Sequence, residues 1–353
     1  MITLRRFLED IESIPVNTSW YLSDLSEAKG RQELFTRQSP QRLKTLQEHA
    51  LIESAISSNR IEGVTVDQAR IGAILFGKSL LQDRNEEEVR GYRLALNRIH
   101  ELRADLRICE ETVLELHRLS HGEIWDAGQY KQKDADIIEK YPNGRSRVRF
   151  KTVPAAKTPA SMHELFVHWD QCLQEYRIHP LIILAAFVFD FLCIHPFRDG
   201  NGRVSRLLFL LGCYHLGFEV GRYISLERLI EENKERYYET LKESSQGWHQ
   251  GTHNPWPHIN YLLFILKNAY REFEERLEKT KSLRGSKTDL VKRAIESFSG
   301  EFSLAELERA CPGVSRDMIR RILKQEQKAG QIECLGRGPG AAWRKRGTIP
   351  KKG

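Results

Sequence analysis

The sequence predicts a mainly α-helical protein, a helical bundle with one β-hairpin, followed by a small C-terminal winged helix-turn-helix. Three observations carry that expectation. Apolar residues recur at helical spacing along most of the chain. One run, "LIILAAFVFDFLCI" (181 to 194), is almost wholly apolar and suits the centre of a bundle. Period-two alternation around a turn signal is confined to one internal segment and one stretch near the end. At 353 residues, two or three domains are expected.

In order along the chain, "PQRLKTLQEHALIESAISSNRIEG" (40 to 63) carries Leu43, Leu46, Leu51, Ile52, Ala55 and Ile56 at helical spacing, with Gly63 as its stop. Further helices are predicted over 86 to 103, 110 to 124, 162 to 176, 181 to 194, 203 to 217 and 255 to 279. His117, on the amphipathic helix 110 to 124, reads as a core or boundary histidine. The exception is "DADIIEKYPNGRSRVRFKTVPA" (134 to 155), where β-type residues flank an Asn-Gly turn signal. Alternate spacing puts Arg147, Arg149 and Lys151 on one face of its second strand, a face either solvated or close to a site.

From about residue 281 the composition changes. "KSLRGSK" reads as a linker, and three short helical stretches follow at 287 to 299, 303 to 311 and 315 to 330. Ser303 with Glu306 makes a capping-box pattern. "QIECLGR" and "AAWRKRG" then flank a "GPG" turn as two short strands, completing the order of a winged helix-turn-helix.

Charge is unevenly placed. Residues 283 to 353 hold 16 Lys+Arg against 8 Asp+Glu, whereas the rest holds 39 against 40. All of the basic excess therefore lies in the tail, which is where any nucleic-acid contact is expected. The six cysteines (109, 172, 193, 213, 311 and 334) have no CxxC or zinc spacing, which fits a reducing compartment. The start lacks an uninterrupted apolar core, and the 181 to 194 run is too short to cross a bilayer and contains Asp190. A cytoplasmic protein without membrane contact is expected.

The densest chemistry is "HPFRDGNGR" (195 to 203), with Arg206 three residues beyond. A helix opening near Gly202 presents unpaired N–H groups, and Gly200 and Gly202 let the backbone approach a ligand; the helix dipole favours an anion there. Arg203 and Arg206, three apart, can project planar donors suited to phosphate. Asp199 at the lip would repel phosphate unless a hard divalent cation lay between them. His195, just ahead, is the residue type suited to taking a proton from a hydroxyl near neutral pH.

"HPFRDGNGRVSR" resembles the signature of the Fic family, HxFx(D/E)GNGRxxR, at every specified position. Fic proteins are mostly adenylyltransferases that move AMP from ATP to a protein hydroxyl and release pyrophosphate. The resemblance implies that His195 is the general base on a Ser, Thr or Tyr hydroxyl and that Asp199 holds Mg²⁺. It makes Gly200, Asn201 and Gly202 an anion hole, Arg203 and Arg206 phosphate ligands, and Phe197 the anchor of the loop. Val204 and Ser205 fall within the same nucleotide-binding stretch. "GQYKQKDADII" (128 to 138) resembles the approach to the family's flap, with Lys131 where arginine is usual. "KERYYETL" (234 to 241) resembles the segment whose tyrosines lie by the adenine, nominating Tyr237 and Tyr238; Ser245 stands where some members carry asparagine. The implied organisation is an N-terminal helical region (1–84), a Fic-type bundle with a β-hairpin flap (85–280) and a winged helix-turn-helix (281–353).

A second motif lies upstream. In "SSNRIEG" (57 to 63), Ser58 and Glu62 are four apart on one helix face. The pattern resembles the family's inhibitory motif, (S/T)xxxE(G/N). That resemblance implies that Glu62 pairs with Arg206 and occupies the guanidinium needed by the γ-phosphate.

The leading expectation is thus a self-inhibited, Mg²⁺-dependent protein adenylyltransferase using ATP, with itself among its candidate targets. Removal of AMP by the same site, with Glu62 positioning a water, is the second enzymatic reading; another nucleotide or a phosphocholine donor is a third. The non-enzyme reading is a DNA-binding regulator using Arg316, Arg320, Arg321 and Lys324 on the recognition helix and Arg344, Lys345 and Arg346 on the wing. The tail is equally open to a protein-docking or dimer role, and a homodimer is among the expected partners.

Overall fold

The computed structural model describes residues 2–9, 13–36, 40–77, 80–102, 105–122, 124–140, 145–281, 286–298, 300–336, 338 and 341–346. Its elements begin with helices α1 (Thr3–Glu9), α2 (Val16–Thr36), α3 (Pro40–Ile61), α4 (Ile71–Phe76), α5 (Arg84–Leu102) and α6 (Glu110–His121). A hairpin of β1 (Ile137–Lys140) and β2 (Ser146–Phe150) follows. The bundle continues with α7 (Thr158–Glu175), α8 (Pro180–Ile194), α9 (Asn201–His215), α10 (Leu226–Glu232), α11 (Lys234–Ser245) and α12 (Trp256–Lys281). The last stretch contains α13 (Ser286–Ser297), β3 (Phe302–Ser303), α14 (Leu304–Ala310), α15 (Arg316–Lys328), β4 (Ile332–Cys334) and β5 (Ala342–Lys345).

The apolar run forms the centre. Every residue of α8 from Leu181 to Ile194 is buried, and the helix packs on α1, α7, α9 and α12. Pro180 opens it with a preset φ, and His179 Nδ1 accepts the Leu181 N–H at 3.2 Å. Burying each Leu, Ile or Phe contributes roughly 1.5–3 kcal/mol, so this helix anchors whatever its ends carry. Its C-terminal end is His195, which leads directly into the loop 195–200.

The one acid in α8 has a structural partner set. Asp190 is fully buried, accepts from Thr3 Oγ1 at 2.6 Å, the Leu4 N–H at 3.1 Å and Trp248 Nε1 at 2.8 Å, and so caps α1. Burial pushes its carboxyl up to about 6 against those three donors. The N-terminal region was expected to be helical, but the sequence does not delimit α1 or α2 within it. Apolar residues in α2 are few and irregular; Leu25 and Ala28 are its buried contacts, and it packs along α12.

The hairpin strands are shorter than the alternation suggested. They pair antiparallel, Ile138 opposite Val148 and Glu139 opposite Arg147, with a register shift at Ile137/Ile138. Lys151 lies beyond β2, so the basic face is not a three-residue strand face as expected. The "PNG" of the turn signal, most of the 281 to 287 linker and most of the "GPG" turn lie outside the described residues.

Residues 286–346 enclose a second apolar cluster, built from Val291, Ile295, Phe302, Leu307, Ile319, Ile322, Leu323 and Ile332 among others. Its three strands are antiparallel in the order β3-β5-β4. Ser303 and Glu306 form the capping box, the Glu306 N–H reaching Ser303 Oγ at 3.2 Å and the Ser303 N–H reaching Glu306 Oε2 at 2.8 Å. Among the described residues, no helix is long and apolar enough to cross a membrane.

Candidate active site

The loop between α8 and α9 is held by its own side chains. His195 adopts the left-handed region (φ 54°), unusual for a residue with a Cβ, and its N–H closes α8 on Phe191 O at 2.9 Å. Phe197 is wholly buried and stacks on the His117 imidazole, centroids 3.7 Å apart and planes within 2°. The Asn201 amide binds both backbone groups of one residue: Oδ1 accepts the Phe197 N–H at 2.9 Å, and Nδ2 donates to Phe197 O at 2.8 Å. Its side chain is thereby spent on the loop, so only its backbone N–H faces the anion position. Gly200 caps α9 at φ +81°, and the helix begins at Asn201, one residue before the opening the sequence suggested.

The base position is well defined. His195 Nδ1 lies 3.3 Å from Leu192 O, which accepts and therefore leaves the Nε2 lone pair free. Burial, with the nearby Lys131 ammonium, pushes the imidazole down to about 4, although Leu192 O, Glu62 and Asp199 pull the other way. Lys131 is itself buried; its N–H donates to Pro196 O at 2.9 Å and its Nζ to Thr152 Oγ1 at 2.7 Å. Burial lowers that ammonium to about 8.

The two arginines take different partners. Arg203 is 1% exposed; Nη1 meets Glu88 Oε2 at 2.8 Å and Asn59 Oδ1 at 3.3 Å, while Nη2 lies 3.4 Å from His121 Nδ1. Arg206 is also buried, and it turns to the end of α3. Its Nε donates to Ser58 Oγ at 2.9 Å, and its Nη2 donates to Ser58 O and to Glu62 Oε1, both at 2.9 Å. Nη1 is buried with no hydrogen-bond partner. Burial opposes charge on Arg206, yet Glu62 beside it raises the guanidinium above its ordinary value.

Glu62 reaches deeper than an ion pair requires. A Cβ built on Gly202 would stand 2.2 Å from Glu62 Oε1 and 3.1 Å from its Cδ. The carboxylate thus rests against the first turn of α9, where unpaired N–H groups and the helix dipole favour an anion. Any side chain at 202 would expel it.

Asp199 stands at the opposite lip, with its side chain 52% exposed. Its Oδ1 accepts the Gly200 N–H at 2.7 Å and its Oδ2 faces Arg84 Nη2 at 3.1 Å. Burial would raise its carboxyl, but Arg203, the Gly200 N–H, His121 and Arg84 together hold it below the ordinary value. Glu88, His121 and Asp199 bring one ligand atom each within 4.8 Å of the others. Glu88 is committed to Arg203 and to Arg84 Nε at 2.8 Å, so it makes a poor ligand. One exposed carboxylate with open space for phosphate and water suits Mg²⁺ better than a cage of protein ligands.

The tyrosines part company. Tyr237 is 3% exposed, packed against Tyr238, His258 and Tyr261, and lines the small cavity behind Arg206 with Ser205, Glu227 and Leu262. Tyr238 donates to Ile61 O at 3.2 Å, while Arg149 of β2 lies over its ring and donates to Tyr238 O at 2.6 Å. It therefore links the end of α3 to the hairpin. Val204 is core, and Ser205 Oγ donates to Gly202 O at 2.7 Å. Ser245 is half-buried and donates within α11, to Lys242 O at 3.2 Å.

Sequence reasoning missed Asn59, Arg84, Glu88 and His121, all of which touch the loop or its arginines. Two signals were available: Asn59 lies inside the "SSNRIEG" stretch, and Glu88 and His121 are polar residues on the apolar sides of their helices.

Residues 107–212 match the family described as Fic/DOC. The chain carries a Fic domain. Over 211 residues it is 26% identical to a protein named Protein adenylyltransferase Fic from Drosophila grimshawi, covering 58% of this chain and 40% of that one. A protein of the same name from Nematostella vectensis is 26% identical over 217 residues, 58% of this chain and 46% of the relative. The chain thus spans less than half the length of these curated relatives. A solved Fic family protein from Desulfovibrio desulfuricans G20 shares the fold across 96% of this chain and 98% of its own, with a TM-score of 0.60 and 24% identity. Fic-1 (aa134 - 508) from C. elegans aligns with a TM-score of 0.58 at 20% identity, covering 74% of each chain. The Fic domain and these relatives agree with the predominantly helical fold expected.

Proposed function

We propose that this protein transfers AMP from ATP to a hydroxyl group of a protein and that Glu62 holds it in a self-inhibited state. The observation that carries the proposal is the pairing of a neutral His195, its Nε2 free, with an anion-binding helix start whose arginine is already claimed by a carboxylate. In the forward step Nε2 takes the proton of a Ser, Thr or Tyr hydroxyl, whose oxygen then attacks the α-phosphorus. The bond to the bridging oxygen breaks and pyrophosphate leaves. The N–H groups of Asn201 and Gly202 and the guanidinium of Arg206 stabilise the charge that builds on the phosphates, whereas the Gly200 N–H is taken by Asp199 Oδ1. Arg203 acts from beneath, fixing Glu88, Asn59 and the first turn of α9. Mg²⁺ held by Asp199 would neutralise phosphate charge and orient the leaving group. Asp199's exposure and its depressed carboxyl support that role.

Inhibition follows from competition for one place. With Glu62 on Arg206 and against Gly202, the guanidinium is not available to a terminal phosphate, and ATP can enter only in a pose misaligned for attack. Removing the carboxylate should release about 2 kcal/mol of pairing, since Arg206 is buried but the Glu62 side chain is 29% exposed. The same carboxylate could orient a water for AMP removal, and that reading shares every other residue.

We further propose that residues 286–346 form a winged helix that docks a partner. Arg316, Arg320, Arg321 and Lys324 on α15 are exposed, which favours contact with DNA through this helix. The wing is less suited: Arg344 and Arg346 both lean on Glu333, at 2.7 and 3.5 Å. The test of the enzymatic proposal is incubation of wild type and Glu62→Gly with labelled ATP, alone and with lysate. Label should transfer to protein more strongly with the variant; label in neither reaction would refute AMP transfer.

A further inference from the structure

His117 lies outside the signature loop yet touches three of its members. Its ring stacks face to face on Phe197, its Nε2 is 3.1 Å from Asp199 O, and its edge lies 3.3–3.4 Å from where a Gly200 Cβ would stand. The other nitrogen settles its chemistry. Nδ1 is 2.8 Å from the backbone nitrogen of Gly128, which can only donate, so Nδ1 carries no proton. Nε2 must then carry it, and it donates to the Asp199 carbonyl.

We propose that His117 is a positioning residue for Asp199. What Asp199 binds follows from the adenylyltransferase reading; the hydrogen bonds around His117 do not depend on it. Fixing the Asp199 carbonyl fixes the plane of the peptide that follows. That peptide carries the Gly200 N–H, which bonds back to Asp199 Oδ1 and so aims the carboxylate. Gly200 sits in the left-handed region, where the peptide has a competing orientation unless both sides are held. The bond from Gly128 ties the same ring to the segment running to Lys131, whose N–H closes on Pro196 O. One imidazole thus bridges the approach to the hairpin and the loop that presents Asp199.

The test uses the full chain with Glu62→Gly as parent and compares His117→Phe, His117→Gln and His117→Asn. Phenylalanine keeps the stack and loses both bonds; Gln places a donor near Nε2; Asn places an acceptor near Nδ1. Calorimetric titration with ATP, with and without magnesium chloride, reads binding without turnover. His117→Phe should weaken magnesium-dependent binding about tenfold to a hundredfold, as loss of a group orienting a metal ligand does. Magnesium-free binding should be unchanged, Gln should recover most of the loss, and Asn should not. In transfer assays the apparent KM for Mg²⁺-ATP should rise more than kcat falls.

Equal magnesium-dependent affinity in Phe and parent, or equal losses in Gln and Asn, would overturn the assignment. So would a ¹⁵N spectrum of the imidazole with the proton on Nδ1. If the parent binds Mg²⁺-ATP but labels no protein, the proposed reaction fails while the binding series still decides His117. If the parent binds no ATP, the ¹⁵N spectrum and amide exchange at Gly200 and Gly128 decide it: faster exchange in the Phe variant supports the bridge, and unchanged exchange refutes it.

Discussion

The loop at 195–206 and the C-terminal stretch at 286–346 both gather arginines, and they use them in opposite ways. Arg203 and Arg206 have side chains 1% and 4% exposed, each matched to a particular carboxylate. Arg316, Arg344 and Arg346 have side chains 52%, 51% and 61% exposed, and their ion pairs with Glu308 and Glu333 lie in solvent. Taking an ion from water is costly, so a buried pair persists only where the fold supplies matched partners, whereas an exposed pair forms and breaks freely. The tail therefore holds the chain's whole net charge and little electrostatic structure. The bundle is nearly neutral and holds the organised site. Net charge located the wrong kind of order.

The sharpest break in that comparison comes from the site's base. His195→Ala should lower AMP transfer by a factor of about 10² to 10⁴, the usual worth of a placed general base. ATP affinity should be nearly unchanged, because the base acts on the incoming hydroxyl. Labelling at the parent's rate would remove His195 from the mechanism.

A pH profile sharpens the comparison next. The base works when neutral, and His195 is pushed down to about 4, so the acid limb of kcat/KM should fall near pH 4 instead of near 6.5. Glu62 raises that value, so the limb of Glu62→Gly should lie lower still. A limb near pH 6.5 in either protein would mean that water and neighbouring charge reach the ring in a way this geometry does not allow.

The smallest effects belong to the tail. Arg344→Ala should leave the melting temperature nearly unchanged, because its pairs are exposed. Deleting 283–353 should leave self-modification measurable, since every proposed site residue precedes that stretch. Loss of activity in a truncated chain that still folds would show that the two parts do not act independently. If α15 contacts DNA, Arg321→Ala should weaken binding across all sequences and flatten the log–log salt dependence by about one unit.

How far the sequence could be read follows from the range of each interaction. The α8 core was legible because thirteen of fourteen successive residues are apolar, and the loop because its glycines, acid and histidine are adjacent. The contact between α3 and Arg206 was legible through resemblance alone; Ser58 and Glu62 reach Arg206 across 148 and 144 residues. Nothing local marked Glu88 as the partner of Arg203, or His117 as the brace of Asp199. A polar residue on an apolar helix side marks each as unusual, but its partner emerges only once α5 and α6 pack beside α9. Helix α1 was invisible for the same reason, since its cap, Asp190, lies 187 residues from Thr3. Local pattern carries backbone periodicity; it does not carry the pairing of buried polar groups.

The central claim is that Glu62 and Arg206 act through one contact, and a double-mutant cycle on AMP transfer tests it most directly. Glu62→Gly should raise the rate tenfold or more, roughly the 2 kcal/mol of the pair expressed as rate. Arg206→Ala should fall below wild type although it breaks the same pair, because it also removes the phosphate ligand. The double variant should match Arg206→Ala. A double variant as active as Glu62→Gly, or a Glu62→Gly protein no faster than wild type, would contradict the account and leave Glu62 an acid at the end of a helix.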